Sequence, residues 1–150
     1  MPDYPDEKEI IKTITINTPV SKVWNALIAP ELIKRWMLDT EINVTTDWQI
    51  GSSIIFSGNL HWTDFENKGT ILQFEPEKAL QYNYWSTLSG LPDIPVNYII
   101  VGFTLNPITA NETVLNLTLS KITDEVAYKH LDFYWTITLD VFKKFCELSS

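Results

Sequence analysis

The sequence predicts an α+β fold: a curved, seven-stranded antiparallel sheet around a long C-terminal helix, with two short helices between the first and second strands. Three observations carry this. From residue 40 the apolar period changes from helical to alternating and stays so to residue 120. The alternating stretches are separated by short turn signals, and strands joined by short loops pair antiparallel. The closing stretch, "TDEVAYKHLDFYWTITLDVFKKFCELSS", is apolar at helical spacing. One long helix across a curved sheet buries each apolar face once, and 150 residues suffice to do so in a single domain. A sheet that wraps a helix without touching it everywhere leaves a cavity between them; this is the helix-grip arrangement.

Residues 1–8 are expected to form a disordered tail and 9–150 the domain. "EIIKTITIN" (9–17) is β-branched and reads as the first strand. Thr18 is a suitable N-cap and Pro19 a suitable first residue for a short helix whose Val20, Val23, Trp24 and Leu27 share one face. Pro30 restarts the chain in a second short helix, with Leu32, Ile33 and Trp36 on its apolar side and Lys34 and Arg35 in water. Helices this short are not stable alone, so Trp24 and Trp36 are expected to anchor them as a lid on one end of the sheet. Six strands follow: "TEINVTTDW", "SSIIFSGNLHW", "NKGTILQF", "ALQYNYWS", "VNYIIVGFTLN" and "ETVLNLTLS". Turns are expected at 47–51, 64–67, 75–78, 87–95 and 106–111. In the last helix, near 124–147 and capped by Thr123 or Asp124, Leu131, Trp135, Thr138 and Phe142 form one stripe. Tyr134, Ile137, Val141 and Leu148 form an adjoining one, with Phe145 in both. Together they predict an apolar face wider than one packing seam.

Composition narrows the function classes. Nineteen acidic against eleven basic residues give a net charge of -8, the wrong sign for a nucleic-acid partner. No apolar run approaches the length of a membrane span. The acidic start lacks the basic and apolar regions of a signal peptide, and the single cysteine, Cys146, precludes an internal disulfide, so a cytoplasmic protein is expected. The Asn-x-Thr patterns at Asn43, Asn111 and Asn116 then read as chance matches. Aromatic residues reach 13%, and such side chains suit an interior that meets a ligand.

No reactive constellation stands out. There is no glycine-rich phosphate loop. His61 and His130 are the only histidines and share no ligand spacing, so neither a metal nor a cofactor is expected. Cys146 sits in the final helical turn, where the helix end disfavours a thiolate despite Lys143 and Lys144, and reads as structural. His61 has no sequence-adjacent partner to orient it as a base. No catalytic residue is assigned.

What remains is a cavity lining. Tyr82 and Tyr84 alternate onto one face of "LQYNYWS" with Trp85 on the other. A buried tyrosine hydroxyl needs a partner, which a ligand can supply. The expected lining is Trp36, Phe56, His61, Tyr82, Tyr84 and Tyr98, faced by Trp135 and Thr138 of the long helix, with Thr104 a further hydroxyl. Its volume is expected to reach about 300 Å³, the low end for small-molecule sites. Alternate loops of a meander share an end, which places Trp62, Phe65, Leu88 and Leu91 together as a mouth; apolar side chains on loops usually cover something.

The same residues resemble the heat-shock-protein-90 ATPase activator homologues of the START-like (SRPBCC) superfamily. That family leads from a strand into Pro-x-x-x-Val-Trp-x-Ala-Leu and then Pro-Glu-x-x-x-x-Trp. Pro19, Val23, Trp24, Ala26, Leu27, Pro30, Glu31 and Trp36 fill those positions. "KGTILQFEPEKALQYNYW" (68–85), "TVLNLTLS" and "FYWTITLDVFKKFCE" resemble its later blocks, so the likeness spans residues 10–148. Two positions depart from it: Ile50-Gly51-Ser52 replaces a Gly-Gly turn, and Tyr134 stands where a glycine often precedes the helical tryptophan. The superfamily's topology adds the junction 37–41, and with it Met37, to the mouth. The resemblance implies a helix-grip domain binding a small, mostly apolar or aromatic molecule. It also implies two alternatives, a co-chaperone-like module with a protein partner, and a cyclase or hydrolase using cavity His and Tyr residues.

Overall fold

The computed structural model describes residues 7–38, 42–60 and 62–148. Strand β1 (Lys8–Ile16) leads into helices α1 (Val20–Ile28) and α2 (Pro30–Ile33). Then come β2 (Ile42–Thr45), β3 (Ser53–Leu60), β4 (Thr63–Glu75), β5 (Ala79–Ser86), β6 (Ile99–Thr109) and β7 (Glu112–Ile122), and the chain closes with α3 (Glu125–Leu148). The strands form one antiparallel sheet in the order β1-β7-β6-β5-β4-β3-β2. β2 to β7 are thus a meander, and β1 returns to lie beside the last strand. This is the α+β helix-grip architecture that the change of period predicts.

Alternation places one face of every strand inside. Ile10, Ile16, Ile54, Ile71, Val101, Phe103, Leu105, Leu115, Leu117 and Leu119 are buried there. α3 closes this face with Trp135, Thr138, Leu139, Phe142 and Cys146. The lid is fixed by its tryptophans. Trp24 packs on Phe74 at 5.3 Å between ring centroids, and Trp36 meets the edge of Phe142 at 4.7 Å. Trp36 also donates its indole N–H to Ala26 O at 2.8 Å, which ties α2 back to α1.

Four expectations are corrected. Pro19, not Thr18, occupies the cap position of α1, and Thr18 Oγ1 is buried without a partner among the described residues. The turn expected at 64–67 is strand: β3 and β4 pair from Leu60↔Thr63 through Ser53↔Thr70. Phe65 is therefore a buried residue of β4 and not part of a mouth loop. β6 starts at Ile99, after a 3₁₀ turn over Pro95–Asn97 that the strand reading missed. Finally, Ile137, Val141 and Leu148 face water, so the inward face of α3 is one seam wide. Tyr134 and Phe145, at the border of the two stripes, stay partly buried against the core.

Candidate functional site

β4 and β5 build the polar part of the interior wall. On β4, Lys68 points outward and Phe65 and Ile71 inward, so alternation turns Asn67 inward. Asn67 pairs in register with Phe56 of β3 on one side and Ser86 of β5 on the other. Its Oδ1 is buried and has no hydrogen-bond partner among the described residues. On β5, Tyr82 is buried beside Phe56, with centroids 5.6 Å apart, and Tyr84 follows two residues later on the same face, 6.5 Å from Tyr82.

α3 supplies the opposite side. Trp135 presents its edge to Phe103 at 5.8 Å and to Tyr134 at 5.2 Å. Tyr134 reaches across to the lid, donating its hydroxyl to the carbonyl oxygen of Met37, and Thr138 lies within hydrogen-bonding reach of the same phenol. Burial pushes the Tyr134 hydroxyl up to about 12. Tyr82 and Tyr84 are raised further by the same cause, and each is raised again by its neighbouring phenols, Tyr84 and Tyr134 for the first and Tyr134 for the second. Four hydroxyls and one carboxamide thus gather on an otherwise apolar wall. All stay neutral at physiological pH, so the set is equipped for hydrogen-bond recognition of an uncharged group and not for proton abstraction. Among the described residues no three His, Cys, Asp or Glu side chains come together to hold a metal.

The structure distributes the sequence-predicted site residues unevenly. Phe56, Tyr82, Tyr84, Trp135 and Thr138 belong to the wall just described. Trp36 is buried, its indole committed to Ala26 and its ring to Phe142. His61 lies outside the described residues. Tyr98 does not face the interior: its hydroxyl donates to Asp93 Oδ1 at 2.7 Å on the surface, because the 3₁₀ turn before β6 resets the alternation. Thr104 likewise sits on the outer face. Of the mouth, Met37 is partly buried and bonded to Tyr134, Leu88 is half-exposed, and Trp62 stands 97% exposed at the hairpin tip. Leu91 is partly buried, and its carbonyl accepts the Trp85 indole N–H at 3.0 Å. A shallow cleft beside Leu91, Ile99 and Ile122 holds about 20 Å³, room for one water.

Two residues of the wall escaped the sequence. Asn67 was hidden in an expected turn, and only the alternation of Phe65, Asn67 and Gly69 against charged neighbours could have revealed it. Tyr134 was read as part of an apolar stripe and as a departure from a family pattern, and not as a wall hydroxyl. Outside the wall, Lys68 and Asp93 form an ion pair at 2.5 Å that, with Tyr98, clasps the 87–98 loop to β4. The hydrogen bonds from Lys68 and Tyr98 hold the Asp93 carboxyl below its ordinary value. Cys146 is buried, and desolvation pushes its thiol up to about 12, which removes it as a nucleophile.

Comparison with known proteins agrees with this architecture. A protein from Cytophaga hutchinsonii, solved in solution, is 36% identical, with 98% of each chain covered and a TM-score of 0.80. The CalU16 protein of Micromonospora echinospora is 25% identical over 93% of this chain and 74% of its own, with a TM-score of 0.72. The Aha1 dimer of Colwellia psychrerythraea shares the fold at 17% identity, covering 93% of this chain and 96% of that one, with a TM-score of 0.73. Curated protein sequences yield no match. No helix is long and apolar enough to cross a membrane among the described residues. The family model for Activator of Hsp90 ATPase homolog 1-like protein matches residues 17–147, from the end of β1 to the last turn of α3, and the chain belongs to that family.

Proposed function

We propose that this protein binds a small, mostly apolar and uncharged molecule between the sheet and α3, in the cytoplasm, with Asn67 and the tyrosine hydroxyls holding the polar end of the ligand. The observation that carries this is Asn67 Oδ1, a buried acceptor with no donor among the described residues. Buried polar atoms are almost always hydrogen-bonded, and an orphan calls for a reason. A ligand with a hydroxyl or amide N–H would donate to Asn67 and accept from a phenol. Tyr84 supports the same reading: protein surrounds it closely enough to desolvate its phenol, yet part of its surface stays accessible, as it does on a residue lining internal space. No cation from the described residues lies among these groups, so a neutral ligand is favoured over a carboxylate or phosphate.

The test is native mass spectrometry of the purified protein together with titration of a neutral, fluorescent aromatic probe. The reading requires either a retained small molecule or saturable one-to-one probe binding, weakened at least tenfold by Asn67→Leu or Tyr84→Phe. A bare protein mass together with no saturable binding of any neutral aromatic probe would sink it.

A further inference from the structure

The stripe of α3 that faces water has a regular form. Val126, Phe133, Ile137, Val141 and Leu148 are between 41% and 87% exposed. At 100° per residue they fall within an arc of about 80°, on the side of the helix opposite Trp135, Phe142 and Cys146. Their spacing is symmetric. Phe133 and Val141 each lie four residues from Ile137, and Val126 and Leu148 each lie eleven. His130 and Lys144, each seven residues from Ile137, complete the same pattern. Reversing the helix about Ile137 therefore lays every exposed apolar side chain on another of its kind, which is the requirement for a two-fold interface.

We propose that the outer face of α3 is a self-association surface, on which two copies of this chain pack their long helices antiparallel about a two-fold axis at Ile137. Val126 then meets Leu148 of the second copy, Phe133 meets Val141, and Ile137 meets itself. A parallel pair, or an unrelated partner helix, has no use for a palindromic spacing. Charge favours the same place. The chain carries a net charge of -8, and two copies repel over most of their surfaces. The stripe contains no carboxylate; Asp140 stands at its edge, paired with Lys144 at 2.9 Å. The stripe is about 33 Å long, from the helical rise over its 126–148 span. Two such stripes bury roughly 1,000 Å² in total, the lower end of specific interfaces. The pair is accordingly a concentration-dependent dimer, dissociating in the micromolar range and not permanent.

Sedimentation velocity from about 1 to 300 μM tests this, the dissociation range expected of so small an interface. The wild type is expected to shift from 17.3 kDa toward twice that mass. Ile137→Lys, which places two ammonium groups on the axis, is expected to stay monomeric throughout with an unchanged melting temperature. Mild oxidation of cysteine variants reads the direction: Ile137→Cys links to itself, whereas Val126→Cys links only when mixed with Leu148→Cys. A wild type that stays monomeric over the whole range overturns the proposal. So does a dimer that Ile137→Lys leaves intact, or a Val126→Cys protein that links to itself.

Discussion

Replacing Asn67 with leucine exchanges a carboxamide for an apolar group of similar shape, and the structure sets the size of the effect. The Asn67 oxygen is buried and unbonded, whereas the residue as a whole is only partly buried. An unpaired amide in a protein interior costs about 1–3 kcal/mol. Partial burial argues for the lower end, and leucine also suits a strand better than asparagine. Asn67→Leu should therefore stabilise the fold by about 1 kcal/mol, which for a domain of this size raises the melting temperature by about 2–4 °C. Urea unfolding, followed by tryptophan fluorescence and extrapolated to water, gives the same quantity independently. The two measurements together matter: the variant should gain stability and lose affinity for the neutral probe. That combination separates a binding group from a structural one, since a group that held the fold together would lose both. A loss of 1 kcal/mol or more on substitution would mean that the carboxamide is satisfied in solution, and the reasoning from its orphaned oxygen would fail.

Three other outcomes follow from the geometry. Trp135→Ala removes a buried indole that sits edge-on against Phe103 and Tyr134, and should cost about 3–5 kcal/mol in urea unfolding. Gly69→Ala should cost about 3 kcal/mol and reduce soluble yield, because a Cβ there would lie 1.6 Å from the backbone oxygen of Asn83 and force β4 away from β5. The surface clasp should open in acid: the Asp93 carboxyl is held below its ordinary 3.8, so its contribution is present above that pH and lost as pH falls through the lower folded value. Amide exchange in the 87–98 loop, compared between pH 5 and pH 2.5 after correction for intrinsic rates, should report the opening, and Lys68→Met should weaken the pH dependence, leaving the part that Tyr98 supplies.

The period of the apolar residues made the sheet and the long helix legible before any coordinates. What it could not show was which of two apolar stripes on α3 faces inward. Tyr134 and Phe145 lie between the two stripes around the helix, and spacing alone therefore merges Ile137 and Val141 with the Trp135–Phe142 seam into one broad face. Only the position of the sheet, which covers one side of the helix, divides them. Asn67 was obscured by chemistry: "DFEN" has the charge and polarity of a turn, yet its residues alternate outward and inward as strand. Tyr98 was misplaced for a third reason, since a strand read as starting at Val96 has the opposite facing after a 3₁₀ turn through the same residues. Phe56 and Tyr82 follow the plain alternation of β3 and β5, each two residues after a buried Ile54 or Leu80, and Tyr84 continues the same side of β5.

The pairing of β1 with β7 governs the order of assembly. Lys12 of β1 binds Asp132 and Thr136 of α3, the first of these 120 positions further along the chain, and the strand's other neighbour is β7, only slightly nearer. The meander from β3 to β7 can form hairpin by hairpin, each closing a short loop. β1 and the lid helices have no such neighbour to fold onto. During synthesis β1 must wait, unpaired, until β7 and α3 have been made, and its β-branched residues remain a docking template for any other extended chain during that interval. Folding from this topology should be slow for the domain's size, with closure of the N-terminal strand as the last and rate-limiting step.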